Sequence, residues 1–267
     1  MAPRVRAPLP LAASLRDWQR ALRMWRLWTA LGMEDLSDRY RRTVLGISWV
    51  ATSFAVFVGV KVLVFGQMNA VSRSDFILFV TVGFGLWTFI NSMVLDCCVA
   101  YTSAANWLMG TSIPYPVFFL QSIFRNWLVF SLIMLVMAGA LLWQKQVWTT
   151  TMLAAIPGLV VYMIAPTWLA ALLAPPCARF RDLNHTMQTV MRLSFFITPI
   201  IWVPTGRLAV IADYNVFTHF LEIVRAPLLH DTIPWRSWAI VAAVNAIGFV
   251  AGFFSYAATR NRIAYWL

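Results

Sequence analysis

Residues 116–143 read PVFFLQSIFRNWLVFSLIMLVMAGALLW, an apolar run that holds a single charged side chain, Arg125. The hydrocarbon core of a bilayer is about 30 Å thick, and a helix needs roughly 20 apolar residues to cross it. The run therefore predicts a membrane-spanning helix. The whole chain shares this character, because 61% of its residues are hydrophobic and 12% are charged, whereas about 25% of a soluble domain is charged.

Similar runs on both sides of this helix fill most of the chain. The sequence predicts six spans in all, at about 44–66, 76–102, 116–143, 149–174, 186–203 and 236–258. An independent domain needs about 50 residues, and no stretch between the spans is that long. We therefore expect an all-α membrane protein in which residues 1–267 form a single domain.

Residues 13–33 read ASLRDWQRALRMWRLWTALGM and are too polar to span a membrane. Leucine and tryptophan recur here at steps of three and four residues, and arginine occupies the opposite side. This pattern is typical of an amphipathic helix in the membrane interface, with tryptophan at the headgroups and arginine toward anionic lipid. A soluble helix that packs on a partner protein is the alternative.

The net charge of +11 indicates membrane orientation rather than a nucleic-acid partner, which we do not expect. Basic residues of membrane proteins concentrate in cytoplasmic loops. In this chain most Lys and Arg residues precede the first span, follow the fourth span or lie in the C-terminal tail. With an even number of spans, this bias predicts that both termini lie in the cytoplasm.

Charged side chains inside spans are costly and usually face protein or water. Asp96 and Arg125 lie in the cytoplasmic halves of neighbouring spans, so an ion pair between them is geometrically possible. Such a pair would either stabilise the fold or line a polar cytoplasmic mouth. Asp96 is the one carboxylate within the predicted spans, which makes a proton-driven transporter less favoured. Lys61 can snorkel to the outer interface, whereas Arg192 is two turns into its span and is harder to explain in this way.

Sequence signals for catalysis or for bound cofactors are weak. The three cysteines lack the spacing of a metal site or a disulfide framework, and the three histidines are scattered. A P-loop requires Gly-Lys-Ser/Thr, but the only lysines, Lys61 and Lys145, follow valine and glutamine. We therefore expect no catalytic residue, no metal site and no nucleotide site in this chain; if ATP is used, another subunit binds it.

Aromatic residues make up 15% of the chain. Many lie at predicted span ends, where aromatic belts are expected, but a second set lies deeper. The face of an aromatic ring can stack on the C–H bonds of a sugar ring, so a passage lined by these residues is one interpretation, and helix packing or contact with lipid is the other. The predicted passage residues are Trp87, Phe89, Trp127, Phe130, Phe195, Phe196 and Trp202.

Eight short stretches carry a resemblance to a known family. They are RYRRTVLGISW (39–49), GFGLWTFI (83–90), ANWLMGTSIPYPVF (105–118), IFRNW (123–127), ARFRDL (178–183), FFITPIIW (195–202), YNVFTHFLEIVRAPLL (214–229) and RNRIAYWL (260–267). Together, and in this order, they resemble the permease (transmembrane) subunit of the bacterial ABC exporters for O-antigen, capsular and teichoic polysaccharides. The chain departs from the usual pattern of this family at Met109, Val216 and His230. These departures leave the subfamily and the identity of the glycan open, but not the family.

This resemblance implies the assembly and the location of the protein. Two copies of the chain form the pore as a homodimer, and each copy docks on a cytoplasmic ATPase subunit that binds ATP and Mg²⁺. Docking is expected through 13–33 and 110–116. The implied location is the bacterial inner membrane, and the implied substrate is a lipid-linked polysaccharide. An exporter of a drug or small lipid is the alternative, followed by a membrane-embedded lipid-linked sugar transferase.

The resemblance also implies two short re-entrant helices within 205–230, at the outer pore mouth. Glu222 and Arg225 are three residues apart, so a helix places them on one face, which we expect to face the passing glycan or the second copy. A helix lying flat in the outer interface is the alternative. The expected outer-gate residues are Tyr214, Phe217, Glu222 and Arg225. Six residues are expected to couple to the ATPase or to bind lipid phosphate, namely Arg41, Arg42, Trp107, Tyr115, Arg179 and Arg181. The alternative for the arginines is that they only set the orientation of the chain in the membrane.

Overall fold

The computed structural model describes residues 10–65, 73–105, 107 and 112–266. Within these ranges the chain forms helices and connecting turns and no strand, which confirms the all-α fold class. The helices are α1 Pro10–Arg23, α2 Trp25–Tyr40, α3 Trp49–Phe65, α4 Arg73–Ser103, α5 Pro116–Trp143, α6 Ala155–Arg179, α7 Asp182–Ile197, α8 Arg207–Tyr214, α9 Val216–Leu229, α10 Trp235–Thr259 and α11 Ile263–Trp266. Short 3₁₀ turns at Gly46–Ser48 and Thr150–Ala154 lead into α3 and α6.

Five helical segments of the described chain are long and apolar enough to cross a membrane. They are Gly46–Phe65, Ser74–Ser103, Pro116–Trp143, Thr150–Arg179 and Trp235–Thr259. The remaining predicted span, 186–203, coincides with α7, which has 16 residues and is therefore about 24 Å long. Because the backbone becomes extended at Thr198, this helix alone is shorter than a bilayer core, and the count of six spans stays a prediction.

The N-terminal segment that was predicted as one amphipathic helix forms two helices. Met24 separates α1 from α2 with φ −84° and ψ 34°, and α2 continues to Tyr40. One face of α1 is buried at Ala13 and Ala21, while the arginines of this helix are exposed. The helix α1 therefore packs on the protein through small residues, while Leu15 and Leu22 of the predicted apolar side stay exposed. Its place in the membrane interface stays a prediction.

The first helix is held against the end of the last long helix. Asp17 Oδ2 accepts hydrogen bonds from Arg260 Nη2 at 2.5 Å, from Arg260 Nε at 2.9 Å and from Tyr256 Oη at 3.1 Å. Burial alone would lower the pKa of Arg260, but the hydrogen bond and the charge of Asp17 raise this pKa overall, so Arg260 stays charged at neutral pH. These bonds place α1 beside the C-terminal end of α10, so that both lie at one end of the protein.

The central helix is α4, which packs on α5, α6, α7 and α9. Beside it, α6 and α10 approach closely at two glycines. A Cβ on Gly248 would lie 2.4 Å from the Trp168 ring, and a Cβ on Gly252 would lie 2.6 Å from the Trp168 carbonyl oxygen. Trp168 Nε1 also donates a hydrogen bond to Asn245 Oδ1 at 2.8 Å. Small residues spaced four apart permit this close approach of two membrane helices.

We expect Gly252→Leu to weaken the α6–α10 pair, because the new side chain would meet the α6 backbone. Overpacking of this kind typically costs about 1–3 kcal/mol. The temperature at which the detergent-solubilised protein loses its monodisperse elution peak should therefore fall. Gly139→Leu is the control, because a Cβ at Gly139 meets no atom within 4 Å. Equal melting of the two variants would contradict the close contact.

Candidate functional site

The segment after α7 is organised around Arg225, whose side chain is completely buried. Its Nη1 donates a hydrogen bond to the Pro199 carbonyl oxygen at 2.7 Å, and its Nε donates to Glu222 Oε1 at 3.1 Å. The guanidinium carbon lies 4.1 Å from the centre of the Phe79 ring. Gly83 leaves room for this group, because a Cβ there would lie 3.3 Å from Nη1. Arg225 therefore joins α9 to α4 and to the chain that follows α7.

The two short helices α8 and α9 occupy the segment predicted to be re-entrant, and Asn215 separates them. The Asn215 side chain accepts a hydrogen bond from the Phe217 backbone amide at 3.0 Å and caps α9. Its Nδ2 donates to Thr198 Oγ1 at 2.8 Å. These bonds fix the start of α9 against the end of α7, while the re-entrant character of the pair stays a prediction.

The predicted outer-gate residues lie in different environments. Tyr214 is exposed, and Phe217 packs edge-on against Trp87 with 5.4 Å between ring centres. Glu222 is half-buried, whereas Arg225 points into its own chain. The expectation that both charges face the passage therefore does not fit Arg225 in this conformation, because its donors are used by Glu222 and a backbone carbonyl.

Lys61 lies inside an aromatic cage and is 8% exposed. Its Nζ is 3.6 Å from the centre of the Phe84 ring, 4.4 Å from that of Phe195 and 4.5 Å from that of Phe57. Nζ has no hydrogen-bond partner among the described residues. Because ring faces attract an ammonium group, the three rings hold the charge between α3, α4 and α7. The side chain therefore does not snorkel to the outer interface.

The predicted passage residues fall into two ring clusters, the first of which adjoins Lys61. In this cluster Trp87 packs against Phe195 with 5.9 Å between ring centres, and Phe195 packs edge-on against Phe196 at 5.4 Å. Trp202 Nε1 donates a hydrogen bond to the Phe196 carbonyl oxygen at 3.0 Å. Trp87 is buried, while Phe196 is 68% exposed. The exposed member shows that this cluster reaches the protein surface.

The second ring cluster lies in the interior of the chain. Phe89 packs against Trp127 with 5.4 Å between ring centres and against Phe130 with 4.9 Å. Tyr162 joins the cluster at 5.7 Å from Phe89, and its Oη donates a hydrogen bond to the Phe220 carbonyl oxygen at 2.9 Å. Phe89 and Phe130 are buried, so in this conformation they pack helices together and are closed to a ligand as large as a polymer.

An apolar cavity of about 270 Å³ lies beside the second cluster, between α4, α6, α7 and α9. Its walls include Phe89, Leu169, Met191 and Phe220 and contain almost no polar surface. An apolar cavity of this kind favours hydrocarbon over sugar, because hydroxyl groups would lose their hydrogen bonds to water there.

At the other end of α4, the expected ion pair between Asp96 and Arg125 is formed. Arg125 Nη2 donates to Asp96 Oδ2 at 2.6 Å, and Asn126 Nδ2 donates to the same oxygen at 2.6 Å. Arg125 Nη1 also donates to Asp35 Oδ2 at 2.8 Å, and Gln121 Nε2 donates to that oxygen at 2.7 Å. The network joins α2, α4 and α5 and borders a polar cavity of about 450 Å³. Sequence reasoning missed Asp35, because 90 residues separate it from Arg125.

Several residues predicted to couple to the ATPase or bind lipid phosphate lie at this same end of α4 or in the turns near it. Arg41 makes a long, exposed contact of 3.8 Å with Asp38, and Arg42 has a positive φ of 65°. The Arg179 guanidinium carbon lies 4.9 Å from the centre of the Phe180 ring and 5.7 Å from that of Trp266. These arginines are exposed, so they are open to a partner or to lipid.

The other residues of this predicted set lie in loops. Trp107, in the loop that follows α4, is exposed, and so is Arg181, in the turn between α6 and α7. Tyr115 precedes α5 and packs edge-on against Tyr101 with 5.6 Å between ring centres. Residues 110 and 111 of the predicted docking segment 110–116 lie outside the described residues. The described members of this predicted set therefore include two surface residues and one that packs on α4.

Metal-binding chemistry has no site in the part of the chain that the structure describes. No group of three or more His, Cys, Asp or Glu side chains is arranged there to hold a metal ion. Cys97 and Cys98 on α4 and Cys177 on α6 are free and buried. The charged groups inside the long helices instead make ion pairs or ring contacts that hold helices together.

Comparison with known proteins agrees with the motifs. The chain is similar to the O-antigen export system permease protein RfbA of Myxococcus xanthus, with 27% identity over 181 residues that cover 66% of this chain and 68% of that protein. No protein-family model matches the chain. The resemblance to polysaccharide-exporter permeases predicted from the motifs is confirmed at this distant level of identity.

We expect Arg225→Met to destabilise the protein strongly. Removing one partner of a buried ion pair leaves the other charge uncompensated and typically costs about 3–5 kcal/mol. The measurement is again the melting temperature of the solubilised protein, and the double variant Arg225→Met with Glu222→Gln should recover part of the loss.

The matched control for Arg225 is Arg236→Met. Arg236 Nη1 also pairs with a carboxylate, Asp213 Oδ2, at 2.9 Å, but the two side chains are 66% and 55% exposed. Exposed ion pairs contribute little to stability. If Arg225→Met melts at the same temperature as Arg236→Met, Arg225 does not anchor α9.

Proposed function

We propose that this chain is the channel-forming permease subunit of an ATP-driven ABC exporter that moves lipid-linked polysaccharide of the O-antigen or capsule type across the bacterial inner membrane. The observation that carries the proposal is the similarity to an O-antigen export permease. Five helical segments long and apolar enough to span a membrane fit a transport subunit. The absence of a P-loop from the sequence fits a chain whose ATP is bound by a partner.

The proposed assembly contains two copies of this chain and two copies of a cytoplasmic ATPase that binds ATP and Mg²⁺. We assign ATPase docking to 13–33 and 110–116. The bond between Asp17 and Arg260 and the bond between Asp35 and Arg125 support this assignment, because they join the two N-terminal helices firmly to the long helices. A rigid connection is needed if movement of a docked ATPase is to reach the membrane.

We further propose that the predicted span 186–203 forms a sixth crossing, with both termini cytoplasmic. Two observations support it. The bonds of Asp17 hold α1 at the end of α10, and five crossings would place the two ends of the chain on opposite sides of the membrane. In addition, Met187 and Met191 of α7 line the same cavity as Leu169 and Leu173 of α6, as expected of a helix that returns into the membrane beside α6.

The proposed glycan passage follows the exposed side of the first ring cluster. Phe196 offers an exposed ring face, and Trp202, bonded to the Phe196 carbonyl oxygen, is half-buried. Ring faces at these positions suit stacking on sugar rings. In this scheme the buried rings of Phe89 and Phe130 support the walls of the passage rather than touch the glycan.

Deletion of the gene tests the export function. If the chain is an exporter permease, the polysaccharide continues to be made but accumulates in the cytoplasm, and the cell surface loses it. The measurement is the polysaccharide content of the cytoplasm and of the surface in the deletion strain, with the plasmid-borne gene as control. Loss of synthesis without trapped polymer would contradict export and favour a sugar transferase.

Asp96→Asn tests whether the chain is driven by ATP or by protons. Asp96 is bonded to Arg125 and Asn126, so we expect the variant to be less stable but to export at a normal rate per folded molecule. The measurement is surface polysaccharide relative to the amount of chain in the membrane. Asp35→Asn is the control, because it removes the other carboxylate from Arg125. A loss of export in Asp96→Asn alone, at equal amounts of chain, would contradict the proposal.

A further inference from the structure

One side of α7 carries four exposed polar side chains, although we propose that this helix crosses the membrane. They are His185, Thr186, Thr189 and Arg192, and the exposed apolar side chains of Leu193 and Phe196 lie on the same side. Arg192 is six residues into the predicted span 186–203, a rise of about 9 Å into a bilayer core of about 30 Å. Three residues later, Phe195 packs on Trp87, which lies in the middle of α4. Because α4 is long enough to span the membrane, this contact places Arg192 near the centre of the membrane.

Arg192 makes no hydrogen bond or ion pair with any described residue. An arginine at the bilayer centre is costly when it faces lipid, and such residues almost always face the interior of an assembly or a water-filled cavity. The exposed face of α7 therefore borders water or a second copy of the chain. In a protein with a passage, this face belongs to the passage.

A second cation lies at the same depth. Lys61 is held by the rings of Phe57, Phe84 and Phe195, and Phe195 is on α7, close to Arg192 in sequence. Lys61 has no hydrogen-bond acceptor among the described residues. Its charge therefore adds to the positive potential near the middle of α7, and in a low-dielectric region such a potential attracts anions.

The carboxylates of the long helices and of α9 do not neutralise this region. Asp96 is bonded to Arg125, and Glu222 is bonded to Arg225. Asp75 lies in the first turn of α4, more than two helical turns from Phe84 of the cage. The middle of the described membrane region thus carries positive charge that its own carboxylates leave uncompensated.

We propose that Arg192 is the contact residue of an anion site midway across the membrane, and that the site binds the phosphate group of the lipid-linked substrate. The proposal rests on the function proposed above. The planar guanidinium forms two parallel hydrogen bonds to a phosphate, and Lys61 strengthens the site through its charge without touching the ligand. The site would hold the phosphate group while it crosses the apolar region, where a bare phosphate would otherwise lose its solvation.

Binding of a polyprenyl diphosphate to the purified chain in phosphatidylcholine nanodiscs tests the site directly. We expect the diphosphate to bind at least about tenfold more tightly than the corresponding polyprenol, and Arg192→Gln to weaken diphosphate binding by about tenfold or more, as loss of a charge-assisted hydrogen bond predicts. Arg192→Lys should retain part of the affinity, and the polyprenol affinity should not change. The control is Arg262→Gln, at an exposed arginine in the tail.

Three results would overturn the proposal. The diphosphate could bind no better than the polyprenol, or Arg192→Gln could bind it as the unaltered chain does. Displacement of the diphosphate by an equal concentration of phosphatidylglycerol would assign the site to ordinary lipid headgroups instead of the substrate. Arg192 is exposed and makes no described bond, so Arg192→Gln should elute and melt as the unaltered chain does.

Complementation of the deletion strain separates this proposal from the proposed function. If the deletion strain still exports polysaccharide, the export function is wrong, and the binding measurement still decides whether the anion site exists. If deletion stops export, Arg192→Gln restores it fully, and diphosphate binding is unchanged, the export function stands and the anion site is wrong. If the Arg192→Gln variant is present in the membrane at a normal amount but restores less export than the unaltered chain, the result supports both the export function and the anion site.

Discussion

Hydrocarbon cannot solvate charge, and this constraint organises the whole molecule. The charges described at membrane depth are accommodated in four ways. Asp96 and Arg125 neutralise each other at one end of α4, and Arg225 is enclosed by Glu222, a backbone carbonyl and an aromatic ring at the other. Lys61 is enclosed by rings alone, and Arg192 remains exposed. The first three arrangements hold helices together, whereas the exposed Arg192 calls for water, an anion or a second copy.

The central helix α4 connects these arrangements. Its one end carries the carboxylate that binds Arg125, which in turn binds Asp35 of α2. Its other half contributes Phe79 and Gly83 to the site of Arg225 on α9. A displacement of the N-terminal helices therefore has a continuous path of bonded groups to the short helices at the opposite end. In an exporter with a cytoplasmic ATPase, such a path would allow one side of the protein to affect the other.

The sequence predicted the features that depend on local composition. Long apolar runs predicted five helices correctly, and the nearness of consecutive spans predicted the Asp96–Arg125 pair. It did not predict the break at Met24, because neither Gly nor Pro marks it. The i,i+3 spacing of Glu222 and Arg225 predicted that they share a face, but only the contacts with Phe79 of α4 and with the Pro199 carbonyl oxygen show that Arg225 turns inward. Likewise, the ring cage of Lys61 combines α3, α4 and α7, and no local pattern contains that information.

The proposed function makes this chain the membrane half of an ATP-driven exporter. The most direct measurement is purification of the tagged chain from native membranes in mild detergent, followed by identification of the co-purifying proteins and assay of ATP hydrolysis. We expect a nucleotide-binding ATPase to co-purify in equal number to the chain, with ATP hydrolysis that depends on that partner. A chain that purifies without an ATPase and transports polysaccharide on its own in vesicles would contradict the account.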